Sequence, residues 1–160
     1  MKTNNTSTIG LQTEKTTELA EKLNDLLASY SVHYQNLRGF HWNIQGPGFF
    51  ELHAKFEEMY IAANKAIDEI AERILTLEGK PLHSFQDFLD HSAVKAVKDA
   101  STAQATVSAT IDDLQSLLNS ERKILSLAGE MDDEGTNALM SDYIREQEKL
   151  LWMLRAYLGA

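Results

Sequence analysis

The 160-residue chain contains no cysteine, which excludes disulfides, thiolate metal sites and thiol catalysis. Basic side chains are scarce: 15 Lys and Arg against 24 Asp and Glu leave a formal net charge of −9. Phosphate backbones are bound through Lys and Arg that displace counterions, so this balance disfavours them. It favours attraction of cations instead. No apolar run approaches the roughly 20 residues of a membrane span, and the N-terminal stretch lacks the apolar core of a signal peptide. A cytoplasmic location without a membrane partner is therefore expected. No convincing strand pattern is present either. The Glu-x-x-His pairs that hold di-iron sites inside one helical bundle occur nowhere in the chain.

Helical periodicity accounts for most of the chain. Residues 1–15 (MKTNNTSTIGLQTEK) are polar and rich in Thr and Asn, as expected of a flexible tail, and residues 16–160 form one domain. A first helix is expected from Thr16 or Thr17 to about His41, with Leu19, Leu23, Leu26, Leu27, Tyr30, Tyr34 and Leu37 as its apolar stripe. The breaker Asn43–Gly48 (NIQGPG) turns the chain into a second helix, Phe49 to Glu78, which stops at Gly79-Lys80-Pro81. A long connection follows, and Ser84–His91 has the pattern of one short amphipathic helix. A third helix is expected from Ser101 to Ala128, broken by Gly129. A fourth starts near Asp132 or Asp133, whose carboxylates are placed to cap it. Connections that run short, long, short define an all-α, ferritin-like four-helix bundle: two hairpins joined by a long crossover.

The residues with metal chemistry lie mostly on the second helix. His53/Glu57 and Asp68/Glu72 are i,i+4 pairs, and helical rotation keeps all four within an arc of roughly 100°. Imidazole with carboxylate suits iron, manganese or zinc better than calcium or magnesium. Yet positions 57 and 68 lie about 16 Å apart along a helix, too far for one chain to close both pairs on one ion. Antiparallel pairing of this helix with its copy in a second subunit removes the obstacle. A crossing at Ala62 and Ala63, with Ala66 one turn on, lays His53 and Glu57 opposite the partner subunit's Asp68 and Glu72. Such an isologous pair contains two equivalent sites, about 22 Å apart, and His41 at the end of the first helix is placed to complete each. The competing reading is a solvated acidic face with two hydrogen-bonded structural histidines.

Several of these residues recur as a motif. His41-Trp42-Asn43, Gly46, Phe49, Leu52-His53, Phe56-Glu57, Asp68 and Ala71-Glu72-Arg73, continuing through Gly79-x-Pro81 to Trp152-Met153-Leu154, resemble the Dps mini-ferritins over nearly the whole chain. The resemblance implies a hollow dodecamer of four-helix subunits with ferroxidase centres between two-fold-related subunits. His41, His53 and Glu57 would come from one subunit, and Asp68 and Glu72 from the other. Position 57 is often Asp in the family; the longer Glu here keeps the charge and bears on whether one or two irons bind. The implied activity is oxidation of Fe²⁺ to Fe³⁺, by hydrogen peroxide in preference to oxygen, followed by storage of ferric mineral. Zn²⁺ tolerates the same ligands.

Further roles follow from the same resemblance. Trp42, beside a ligand, is a candidate acceptor of stray oxidising equivalents or else a core aromatic. Glu134 and Asp142 match positions where relatives line an iron-entry pore, although Ala138 stands where many of them have Asp. His33, His83 and His91 receive no role. The second functional reading is a nucleoid-binding stress protein in which DNA binding outweighs iron oxidation. Against it, the N-terminal stretch offers only Lys2 and Lys15, with Glu14 opposing, and the C-terminal residues Gly159-Ala160 add no charged side chain. Strong DNA binding at physiological salt is not expected.

Overall fold

The computed structural model describes residues 6–160. Among the described residues, five helices follow one another: α1 (Thr13–Asn43), α2 (Phe49–Thr76), α3 (Phe85–His91), α4 (Ala103–Glu130) and α5 (Glu134–Tyr157). The only strand-like pairing among them is an isolated bridge between Thr6 and Gln12. α1 packs along α2 and α4, and α4 along α5, while α3 rides on α1 in the crossover. This is the expected four-helix bundle. Its core contains the stripe expected on α1: Leu19, Leu23, Leu26 and Leu37, joined by Phe40, meet Leu52, Phe56, Ile70 and Ile74 from α2. Val107, Leu114, Leu117 and Ile124 from α4, with Met140 and Leu154 from α5, close the other side. Burying each such side chain stabilises by roughly 1.5–3 kcal/mol.

Several helix boundaries differ from expectation by a few residues. α1 starts at Thr13 rather than Thr16, because the preceding polar segment has partners of its own. Ser7 N–H donates to Leu11 O at 2.7 Å, and the backbone N–H and hydroxyl of Thr8 both donate to Glu78 Oε1, at 2.9 and 2.5 Å. Those bonds hold the Glu78 carboxyl below its usual range. Residues 1–5 of the expected tail lie outside the described residues. α4 continues through Gly129 to Glu130, since one helical glycine costs only about 1 kcal/mol and the neighbouring Ala128 is fully buried. The reversal is made instead by Asp132 at φ +58°, after which Asp133 N–H returns to Ala128 O at 2.9 Å.

The α1–α2 turn positions the site described below. Gly48, the N-cap of α2, has φ +79°, and a Cβ there would run into the Tyr157 hydroxyl at the end of α5. Polar side chains of α1 pin the crossover. Asn24 receives Leu82 N–H at 2.8 Å and donates to Lys80 O at 3.0 Å. Asn36 receives Val97 N–H at 2.9 Å and donates to Lys95 O at 2.9 Å. His33, without an expected role, is buried and shares a 2.9 Å hydrogen bond with Asp113. Its position is structural, bracing α1 against α4. Between α2 and α5 a groove of about 590 Å³ remains.

Candidate metal centre

His41 lies in the last turn of α1 and His53 in the second turn of α2, and the tight Asn43–Gly48 reversal brings them face to face. Their rings stack with centroids 3.8 Å apart and planes 16° from parallel. Each ring bonds the main chain of the other: His41 Nδ1 to His53 O at 2.7 Å, and His53 Nδ1 to His41 O at 2.8 Å. A carbonyl oxygen only accepts, so each Nδ1 must carry the proton. In the neutral imidazole that leaves both Nε2 atoms with a free lone pair, the form in which histidine binds metal. Phe49 stacks on His53 at 5.2 Å and the edge of Tyr60 meets His41 at 5.4 Å. Both histidines are hydrogen-bonded, as the competing reading also expected, but those bonds use only Nδ1 and leave Nε2 free for a metal.

The acids stand apart from this pair within one chain. Glu57, Asp68 and Glu72 are exposed on α2, and their carboxylates make no hydrogen bond or ion pair among the described residues. No three His, Asp or Glu side chains of one chain converge as a metal cage among the described residues. The exposed face of α2 nonetheless allows the expected antiparallel pairing with a second copy. Reversing the helix about a point midway between Ala62 and Ala63 exchanges Phe50 with Leu75, His53 with Glu72, Glu57 with Asp68, and Ile61 with Asn64. The outer pair is apolar and strongly exposed: Phe50 is 82% accessible and Leu75 58%, with Ile61 at the centre also 58%. One detail of the expected crossing is corrected. Ala63 and Ala66 turn into the subunit core, at 5% and 6% exposure, so only Ala62 supplies clearance, beside Ile61 and Asn64.

Trp42 is not the core aromatic that one reading expected. It is 58% exposed, with the Arg38 guanidinium 4.7 Å from its ring centroid. Glu134 and Asp142 are both exposed on α5, with Ala138 between them, and Asp142 pairs with Arg145 at 2.8 Å. Asp133, not Asp132, is the helix cap. It receives Thr136 N–H at 3.0 Å and the Thr136 hydroxyl at 2.6 Å.

A further connection was not evident from sequence. Arg73, next to Glu72, donates to Asp133 at 2.6 Å and to Thr136 Oγ1 at 2.9 Å. A Cβ on Gly135 would lie 2.9 Å from that guanidinium, so the glycine makes room for it. The acidic end of α2 is thereby fixed to the start of α5. Only the adjacency of Arg73 to Glu72 hinted at this, since its partner is 60 residues away.

Comparison with known proteins agrees with this fold. The model of the ferritin-like domain family matches residues 20–160. The chain therefore belongs to the ferritin-like proteins. Within them it belongs to the Dps family of mini-ferritins. It is 45% identical over 148 residues to a DNA protection during starvation protein of Porphyromonas gingivalis, covering 92% of this chain and 93% of the relative. A protein of Bacillus anthracis with the same type of name is 40% identical, over 89% of this chain and 97% of its own. The crystal structure of a Dps protein from Vibrio cholerae O1, of the ferritin-like diiron-carboxylate superfamily, shares 53% identity. It covers 99% of both chains with a TM-score of 0.95.

Proposed function

We propose that the chain is an iron-sequestering ferroxidase that works as a dodecameric shell. His41, His53 and Glu57 of one subunit and the partner subunit's Asp68 and Glu72 bind Fe²⁺, one or two ions per centre, with Zn²⁺ as a possible substitute. The observation that carries the reading is the reciprocal bonding of the two histidines through Nδ1, which leaves both Nε2 lone pairs free for a metal. The exposed apolar residues Phe50, Ile61 and Leu75 on the same face of α2 support the sharing of the centre between subunits.

The chemistry follows from the ligand set. Two Fe²⁺ reduce one H₂O₂ by two electrons and, with two protons, yield two Fe³⁺ and two waters. Carboxylates interact more strongly with Fe³⁺ than with Fe²⁺ because attraction grows with ionic charge, so the acidic half of the centre favours the oxidised product. Taking both electrons at one centre leaves no hydroxyl radical. Ferric ions then hydrolyse and collect as mineral inside the shell, which removes both reactants of oxidative damage in the cytoplasm. Exposed Trp42 is proposed to donate an electron when only one Fe²⁺ is bound, and Glu134 and Asp142 to draw Fe²⁺ inward. Strong duplex binding forms no part of the proposal, given the net charge of −9.

The first test is assembly with activity. Light scattering should give twelve times the 18.0 kDa chain, about 216 kDa, for a closed shell. The same particle should oxidise Fe²⁺ faster with hydrogen peroxide than with oxygen. A stable monomer or simple dimer, or an oxidation rate equal to that of free Fe²⁺, would refute it.

A further inference from the structure

Three helices meet at one buried carboxyl group. Glu121 of α4 is 0% exposed. Its Oε1 receives the Tyr30 hydroxyl of α1 at 2.8 Å and the Gln147 amide N–H of α5 at 2.6 Å. Gln147 Nε2 also bonds the Tyr30 oxygen. The fourth long helix joins through Tyr143 of α5, whose ring packs on Tyr30 with centroids 5.7 Å apart. Tyr143 donates its hydroxyl to Glu69 of α2 at 2.8 Å.

A charge on this group would be poorly served. Glu121 Oε2 is buried without a partner, and neither bond to Oε1 comes from a cation. The neighbouring Arg122 of α4 turns outward to Glu148. On α1, His33 is held by Asp113. On α2, Lys55 pairs with Glu58 and Lys65 with Glu69. On α5, Lys149 is exposed, and Asp142 and Glu146 add negative charge to the groove. Burial without a counter-charge favours the protonated acid, and it pushes the Glu121 carboxyl up to about 7.

We propose that Glu121 is a pH switch of the bundle: as the neutral acid it lets α1, α4 and α5 close on one another, and as the carboxylate it loosens them to admit water. Tyr30 and Gln147, both bonded to Glu121, line the groove between α2 and α5, which gives water a way to the cluster. In the unfolded chain the carboxyl ionises in its ordinary range, near 4.5. Below that pH the closed bundle has the full benefit of the neutral group. The benefit is lost as pH rises toward about 7, where Glu121 ionises in the closed bundle as well. None of the proposed iron ligands belongs to the cluster, so the switch stands independently of the metal centre.

Hydrogen exchange of the assembled protein reads the switch. Mass spectrometry follows residues 117–125 of α4 and 143–151 of α5 in wild type and in Glu121→Gln, which keeps the shape and cannot ionise. Dividing the wild-type rate by the variant rate at each pH cancels the intrinsic pH dependence of exchange. That ratio should rise at least about tenfold between about pH 5 and about pH 7.5. A constant ratio would overturn the proposal. Infrared spectra of the wild type in D₂O decide the matter if Glu121→Gln fails to assemble. A carboxylic-acid carbonyl band should persist at about pH 6, where ordinary carboxyls are ionised, and vanish by about pH 8. Tyr30→Phe takes one donor from the carboxylate and should carry that loss to higher pH. Absence of the band at about pH 6 would equally refute the switch.

Discussion

Replacing His41 and His53 together by alanine will slow peroxide-dependent oxidation of Fe²⁺ at least about a hundredfold, the upper end of the loss typical of a mutated outer-shell partner. Both nitrogen ligands disappear, and the remaining carboxylates retain only weak, exposed attraction for the ion. Each Nδ1–H bonds a main-chain carbonyl, not a side chain. Either single variant therefore leaves the other ring with its acceptor and its tautomer, and should keep an intermediate rate. Two main-chain oxygens lose a donor in the double variant, at about 1–3 kcal/mol each where they are buried. Activity must accordingly be compared at equal assembled mass and equal helical circular dichroism. Stopped-flow absorbance of Fe³⁺ after mixing with peroxide measures the effect, and equal rates in wild type and double variant would remove both residues from the centre.

The largest effect on stability is expected at Asp133. Its side chain is 2% exposed and pairs with an Arg73 that is 19% exposed, while also capping α5 through Thr136. Asp133→Ala removes the cap and leaves the guanidinium without its counter-charge. Breaking a buried pair from one side costs about 3–5 kcal/mol, a large share of the stability of an ordinary domain. Urea unfolding should show a lowered midpoint with little change of slope. Asp133→Asn retains an oxygen for the Thr136 N–H and should lose less. Since Arg73 follows Glu72 directly, the alanine variant should also raise the iron concentration needed for half-maximal oxidation.

Much of the fold was legible because leucine and isoleucine spacing reports burial directly. Helices α1, α4 and α5 follow from it, α2 from the turn signals Asn43–Gly48 and Gly79-Lys80-Pro81, and α3 from its short amphipathic pattern, which Ser84 caps through Asp87 N–H at 3.1 Å. The boundaries at Thr13 and Gly129 were less legible, since they depend on partners outside the helices concerned. The residue types of the metal centre were visible from the i,i+4 pairs and the motif around His41, but their preset tautomers were not. Reciprocal bonding to each other's carbonyls requires the actual crossing of α1 and α2. Ala63 and Ala66 illustrate the opposite error. Small residues suit either a helix crossing or a tight core, and here they serve the core. Glu121 carried an overlooked signal, standing one turn from both Leu117 and Leu118 and from Ile124 and Leu125. A carboxylate inside an apolar stripe is buried or the stripe is broken, and Gln147 interrupts the α5 stripe between Ile144 and Leu150 in the same way.

Sharing of the metal centre between subunits is most directly measured by complementation. One chain carries His41→Ala and His53→Ala, the other Asp68→Asn and Glu72→Gln, and each alone should form inactive shells. Co-assembled at equal amounts, random pairing makes half of the two-fold pairs mixed. Each mixed pair contains one centre with all five native ligands and one with none of the four altered ones. Peroxide-dependent iron oxidation should therefore return to about a quarter of the wild-type rate per subunit. Mixed shells as inactive as their parents, with mixing verified by mass spectrometry, would contradict a centre built from two chains.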